Sequence, residues 1–194
     1  MLEKIIGVIT LKAPVYRSIA DDKTLTSQAA IIVIIATLVQ GFSQGLVKVG
    51  TDGAVSISMI GGILGAIVTV ILGLIGWVVA AWILAFVAKA LGGKTDTGEM
   101  LRVTGFVQVF SLVAILNIAV AITPVLACIT GLIGLVVAVL SLIGYTIGVR
   151  EAAEFTTGKA IITALVAVVV NFIIIAIVGG AIVAAIIAAG LIAG

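Results

Sequence analysis

Gly93-Lys94-Thr95 is the first place where this sequence could bind something. A glycine, a lysine and a hydroxyl in that order close the phosphate-binding loop G-x-x-x-x-G-K-[ST]. The first glycine of that loop would stand where Ala88 is, and no strand pattern precedes it, so the phosphate reading fails. The stretch reads better as a helix start, with Asp96 capping and Glu99 reaching back to the cap backbone. Glu99 and Arg102 then share a helical face and can pair, as can Arg150 and Glu154 at four-residue spacing. Inside the apolar runs the polar side chains are amides and hydroxyls, chiefly Gln108, Asn117 and Asn171. They either line a polar cavity or hydrogen-bond between helices, and the second is the commoner use. There is no nucleophile with an adjacent base, no metal-ligand cluster and no histidine, and the lone Cys128 cannot form an intrachain disulfide. The chain is therefore expected to be no enzyme and to hold no cofactor or metal.

The elements that carry these residues belong in a membrane. The 194 residues are 63% hydrophobic and 9% charged, with a mean hydropathy of +1.51, whereas a soluble domain carries about 25% charged residues. The start, MLEKIIGVITLKAPVYR, has neither the apolar core nor the small-residue site of a cleaved signal peptide. The net charge of +2 comes without a basic tract, so nucleic acid is not an expected partner.

Residues 1–25 form a head in which Leu2, Ile5, Ile6 and Ile9 recur at helical spacing. This predicts a short helix in the membrane interface, ended by Pro14. Residues 26–194 then form one transmembrane domain with spans at approximately 27–47, 68–90, 103–123, 125–149 and 161–183. Lys48 to Gly53 is a short polar turn. Gly61, Gly62 and Gly65 are expected to break the next run, setting an interfacial or partly inserted stretch from Val55 to Gly65 before the crossing. Trp77 and Trp82 fall inside that run, and nothing in the sequence explains them. Pro124 divides the long run from Val103 to Val149 into two crossings. Small residues recur every four positions at Gly41/Gly45, Gly61/Gly65, Gly144/Gly148 and Ala176/Gly180/Ala184, as in helices that approach closely.

Five crossings with a cytoplasmic N-terminus put Lys4, Lys12, Arg17, Lys23, Lys89, Lys94, Arg102, Arg150 and Lys159 inside and Lys48 alone outside. That is the positive-inside pattern, so the C-terminus is expected outside, and the chain is expected to be a multi-pass protein of the cell membrane. The two polar turns, Lys89 to Arg102 and Arg150 to Lys159, then lie on the same side. Glu99, Arg102, Arg150, Glu151, Glu154 and Lys159 form a candidate interaction patch, with Gly92 and Gly93 shaping its first loop. The absence of mid-membrane acids, bases and histidines argues against a proton- or ion-coupled transporter.

GGKTDTGEMLRVTGF (Gly92 to Phe106), followed by GVREAAEFTTGKA (Gly148 to Ala160), resembles the Yip domain family of Rab/Ypt-interacting integral membrane proteins. The pattern from Pro14 to Asp22 before an apolar helix is similar as well, and the chain is most like the short prokaryotic and archaeal members. The resemblance implies five helices with a cytoplasmic N-terminus, and a role in contacting partner proteins and shaping membranes. The expected architecture is thus an all-α, polytopic transmembrane helical bundle with an interfacial N-terminal helix. The expected role is a scaffold or adaptor that recruits a membrane or soluble protein through its cytoplasmic loops, in contact with lipids and able to self-associate. An accessory subunit of a larger membrane complex and a channel or carrier for a small neutral or lipid-like solute are the alternatives.

Overall fold

The computed structural model describes residues 1–49, 55–122, 125–170 and Ile173. The head is two helices, α1 (Leu2–Ile9) and α2 (Ala13–Asp21), then a 3₁₀ turn, Lys23–Leu25. Pro14 lies in the first turn of α2, where its missing N–H would have had no helical partner. α1 has already ended, and the chain reverses through Leu11 at φ 56°. The proline therefore starts the second helix and does not, as expected, end the first. Leu2, Ile6 and Ile9 are exposed along one side of α1 while Gly7 and Val8 are buried on the other.

The bundle follows as α3 (Thr26–Leu46), strands β1 (Val47–Val49) and β2 (Val55–Ile57), α4 (Met59–Ala90) and α5 (Thr97–Val107). α5 is prolonged by a 3₁₀ stretch, Gln108–Leu116, and is followed by α6 (Asn117–Ile122), α7 (Leu126–Ala153) and α8 (Thr157–Val170). Four stretches are long and apolar enough to cross a membrane: Lys23–Leu46, Met59–Ala90, Thr97–Ala119 and Leu126–Ala153. This is the expected all-α membrane bundle. α8 is the described part of the fifth expected span; apart from Ile173, its continuation past Val170 lies outside the described residues, as do Asn171 and the Ala176/Gly180/Ala184 repeat.

Two further features differ from the sequence reading. The polar turn at Lys48–Gly53 is, where described, part of a β-hairpin, antiparallel with Val47 opposite Ile57. The helix that carries the span expected from Val103 starts at Thr97, where Asp96 and Glu99 cap it as their spacing predicts. The break at Gly61, Gly62 and Gly65 is absent. α4 runs unbroken for about 48 Å, capped by Ser58, whose Oγ accepts from Gly61 N–H at 3.0 Å. Each glycine weakens an isolated helix by about 1 kcal/mol, but here α3 supplies the compensation. A methyl group on Gly61 would sit 2.5 Å from Gly45 O, and one on Gly65 2.5 Å from Gly41 O. The two four-residue glycine pairs are the two halves of one helix–helix seam.

α3 and α4 form an antiparallel hairpin, α5 lies across both, and α7 closes the head end. The buried core gathers at that end, around Tyr16, Ile19, Met100, Val103, Phe106 and Val149. Further along, α4 and α7 present Ile63, Ile67, Ile71, Leu132, Leu135 and Val139 outward, which suits a surface solvated by lipid. Trp77 is buried against α5, its indole N–H donating to Leu101 O at 3.2 Å and to Thr104 Oγ1 at 3.1 Å. It is a helix-to-helix clamp, so it needs no interface. Trp82 faces outward, stacked on Phe86 with centroids 5.9 Å apart.

Candidate functional site, two loops and the head that joins them

The α4–α5 loop is built by two glycines with separate tasks. Gly92 ends α4 at φ +83°, a left-handed conformation that side chains disfavour, and the Gly92 and Gly93 N–H groups donate to Lys89 O and Ala88 O, each at 2.9 Å. Gly93 is there for space: a Cβ on it would lie 2.7 Å from the Phe155 ring. Asp96 then starts α5 in a full capping box, Oδ1 accepting from Glu99 N–H at 2.7 Å and Glu99 Oε2 accepting from Asp96 N–H at 3.3 Å.

The α7–α8 loop is tied to this one. Lys94 N–H donates to Ala153 O at 3.1 Å, and Lys159 Nζ donates to Leu91 O at 3.1 Å while standing 5.5 Å over the Phe155 ring. α7 ends on Glu154 in a left-handed conformation, φ 54°, which turns the chain back toward the first loop. Residues distant in the sequence thus form one surface at one end of the bundle.

The head is fastened to the same surface. Arg17 on α2 donates through Nη1 to Glu151 O at 2.9 Å, through Nη2 to Glu154 Oε1 at 3.0 Å and through Nε to Asp21 Oδ2 at 3.0 Å. Partial burial works against its charge, but Asp21 and then Glu154 outweigh that and raise its pKa. Tyr16 is fully buried against Gly144 and Gly148, its hydroxyl donating to Val8 O at 3.0 Å, and burial raises its pKa. Asp22 accepts from Thr24 Oγ1 at 2.6 Å and from Thr24 N–H at 3.0 Å, and these bonds lower its pKa.

Arg102 lies beneath the surface. Its side chain is buried, at 4% exposure, and its Nε donates to Ala20 O at 2.9 Å and Ile19 O at 3.2 Å, with Nη2 also on Ala20 O and Nη1 3.4 Å from Thr26 Oγ1. The expected Glu99–Arg102 pair is not formed, because the guanidinium turns inward to the carbonyls that end α2. The expected Arg150–Glu154 pair is not formed either. Arg150 pairs with its neighbour Glu151 at 2.7 Å, and Glu154 is taken by Arg17. Of the expected patch, Glu99, Arg150, Glu151, Glu154 and Lys159 reach the surface to some extent.

The intramembrane amides do not converge. Gln108 lines a cavity of about 210 Å³ with Trp77, Thr104 and Tyr145, and its Oε1 accepts from Ser111 Oγ at 2.9 Å. Asn117 lines a different cavity of about 250 Å³ with Gln40, Ser111 and Ser141. Arg17, Tyr16 and Phe155 were missed as organisers of the site. In the sequence Arg17 is only one more inner positive charge, and no periodicity links it to Glu154.

The family model of the Yip1 domain matches residues 6–179, nearly the whole chain. Neither a curated protein nor a solved structure gives a match.

Proposed function

The chain belongs to the Yip1 domain family, and from that premise we propose that it is a non-enzymatic membrane scaffold. In this reading its joined loops are a docking platform for a partner protein. It is a multi-pass integral membrane protein. The supporting observation is the stitching of the two loops. Lys94 N–H on Ala153 O, Lys159 Nζ on Leu91 O and Phe155 against Gly93 hold Glu99, Arg150, Glu151, Glu154 and Lys159 on one end of the bundle. A fixed constellation of both charge signs loses little side-chain and loop entropy when a partner docks. In this reading that end and the N-terminus face the cytoplasm and the C-terminus lies outside, in the cell membrane; the nine-to-one charge asymmetry supports this orientation.

The test is extraction in a mild detergent, native purification and mass spectrometry of what co-purifies, on the full chain and on Glu99→Lys and Lys159→Glu. A soluble protein retained at fixed stoichiometry by the wild type and lost from the variants supports the platform. A membrane protein retained by all three would make the chain an accessory subunit instead, covering the apolar faces of α4 and α7. Purification of the chain alone in every case would overturn the recruiting role.

A further inference from the structure

α7 and α8 do not close against each other along their outer edge. Between them lies a groove of about 520 Å³, walled by Leu142, Ile143, Thr146, Ile161, Leu165 and Val168, within the range of about 300–1,000 Å³ typical of ligand sites. Its lining is almost wholly apolar, and the outward-facing residues Leu142, Ile161, Leu165 and Val168 border it, so it opens toward the bilayer. The buried side of α8 explains the gap. Ala160, Thr163, Ala164 and Ala167 pack inward, and such small side chains seat the helix without filling the space beside them.

One end of the groove is polar. Thr157 lines it and opens α8, and the Arg150 guanidinium lies 3.4 Å from Thr157 Oγ1 through Nη1. Arg150 is only partly covered, its other contact being Glu151. The first N–H groups of α8 add the positive end of a helix dipole at the same mouth. Inward, the groove shares Leu142, Ala164 and Val168 with a second cavity of about 170 Å³ bounded by Tyr145. That residue's hydroxyl has no hydrogen-bond partner among the described residues. Tyr145 lies five residues, about 7.5 Å, along α7 from Arg150.

We propose that this groove is a binding site for a glycerophospholipid of the surrounding bilayer. One acyl chain lies along Ile161, Leu165 and Leu142, and the phosphate sits at the mouth on Arg150, Thr157 and the start of α8. The donors at the mouth, beside the apolar trough, select this occupant: Glu151 holds the Arg150 Nε and Nη2, while Nη1, the Thr157 hydroxyl and the first N–H groups of α8 remain to meet a phosphate. A hydrocarbon without a headgroup leaves these donors unused, and a soluble anion leaves the apolar trough unfilled.

The test uses the full chain reconstituted in vesicles with a phosphatidylglycerol carrying a photoreactive group in one acyl chain, and a diacylglycerol with the same chains. Peptides from 142–147 and 161–168 are expected to take the phospholipid label about tenfold over the diacylglycerol, a difference of about 1.4 kcal/mol. Arg150→Gln is expected to bring the two to the same level, while Ala164→Phe, which fills the trough, blocks both. Equal labelling by the two lipids in the wild-type chain, or labelling spread evenly over the outward face of α4, overturns the site. Cross-links from 161–168 to residues 171–194, with no lipid label, overturn it too and assign the groove to the chain's own C-terminal segment. The wild-type comparison needs no variant to fold.

Discussion

Arg102 Nε donates to Ala20 O at 2.9 Å, joining α5 to the carbonyl end of α2 from 82 residues further along the chain. A guanidinium here serves as the positive cap that a helix C-terminus favours, and it is supplied by another helix. Through it the N-terminal half of α5 positions the head.

Replacing Arg102 therefore tests the fold of the head. Arg102→Ala is expected to destabilise the protein by about 3 kcal/mol, since charged hydrogen bonds contribute roughly 1.5–3 kcal/mol and buried carbonyls are left without donors. Arg102→Lys rescues only in part, because an ammonium cannot reach Ile19 O, Ala20 O and Thr26 together. Limited proteolysis of the Asp21–Leu25 segment reads the result, with cleavage faster in both variants and fastest in the alanine. Unchanged proteolysis would contradict the fastening role.

Gly93 and Phe155 should be coupled. Gly93→Ala alone is expected to cost about 1–3 kcal/mol through overpacking, and Phe155→Ala in the same chain should recover much of it. A double-mutant cycle on thermal unfolding gives the coupling directly. Gly92→Ala, by contrast, suffers from its positive φ, with a cost of about 1 kcal/mol that Phe155→Ala does not relieve. Additive effects at Gly93 and Phe155 would mean that the loops are not in contact.

The glycine seam divides from the glycines that merely occur. Gly45→Ala and Gly61→Ala meet the facing backbone and are expected to lose about 1–3 kcal/mol each. Gly131→Ala and Gly134→Ala, with nothing within 4 Å of the added methyl, should be neutral or gain up to about 1 kcal/mol from helix propensity. Denaturant unfolding in detergent ranks the four, and a uniform response would refute a specific α3–α4 seam.

Alkaline pH should release the head through Tyr16. Burial raises its folded pKa above the unfolded value, so this contribution to stability is fully present below the ordinary tyrosine range near pH ~10 and is lost as pH rises toward the folded value. The decline approaches about 1.4 kcal/mol per pH unit. Tyr16→Phe gives up the bond to Val8 O, worth about 1 kcal/mol, but flattens the alkaline limb. A limb of unaltered slope in Tyr16→Phe would assign the loss to another group.

The membrane class, the helical crossings and the capped start of α5 were legible in the sequence because each is set by local physics. Apolar runs leave water as a whole, Asp96 and Glu99 are close enough in the chain to satisfy each other, and the polar stretch from Gly92 to Asp96 has to leave the bilayer. The fate of Gly61 and Gly65 was not legible, since a glycine either breaks a helix or admits a neighbour, and only the presence of Gly41 and Gly45 opposite decides which. The same holds for charge partners. Spacing allowed Arg102 to meet Glu99 and Arg150 to meet Glu154, but the docked head brought the carbonyls of α2 to Arg102 and brought Arg17 to Glu154. A local pair at a helix surface is worth only about 0.2–0.5 kcal/mol, so any tertiary partner that offers a buried carbonyl or a second helix outbids it. Sequence periodicity sets which residues enter the membrane; the packing of the head onto the bundle sets which of the remaining charges face a partner and which hold the protein together.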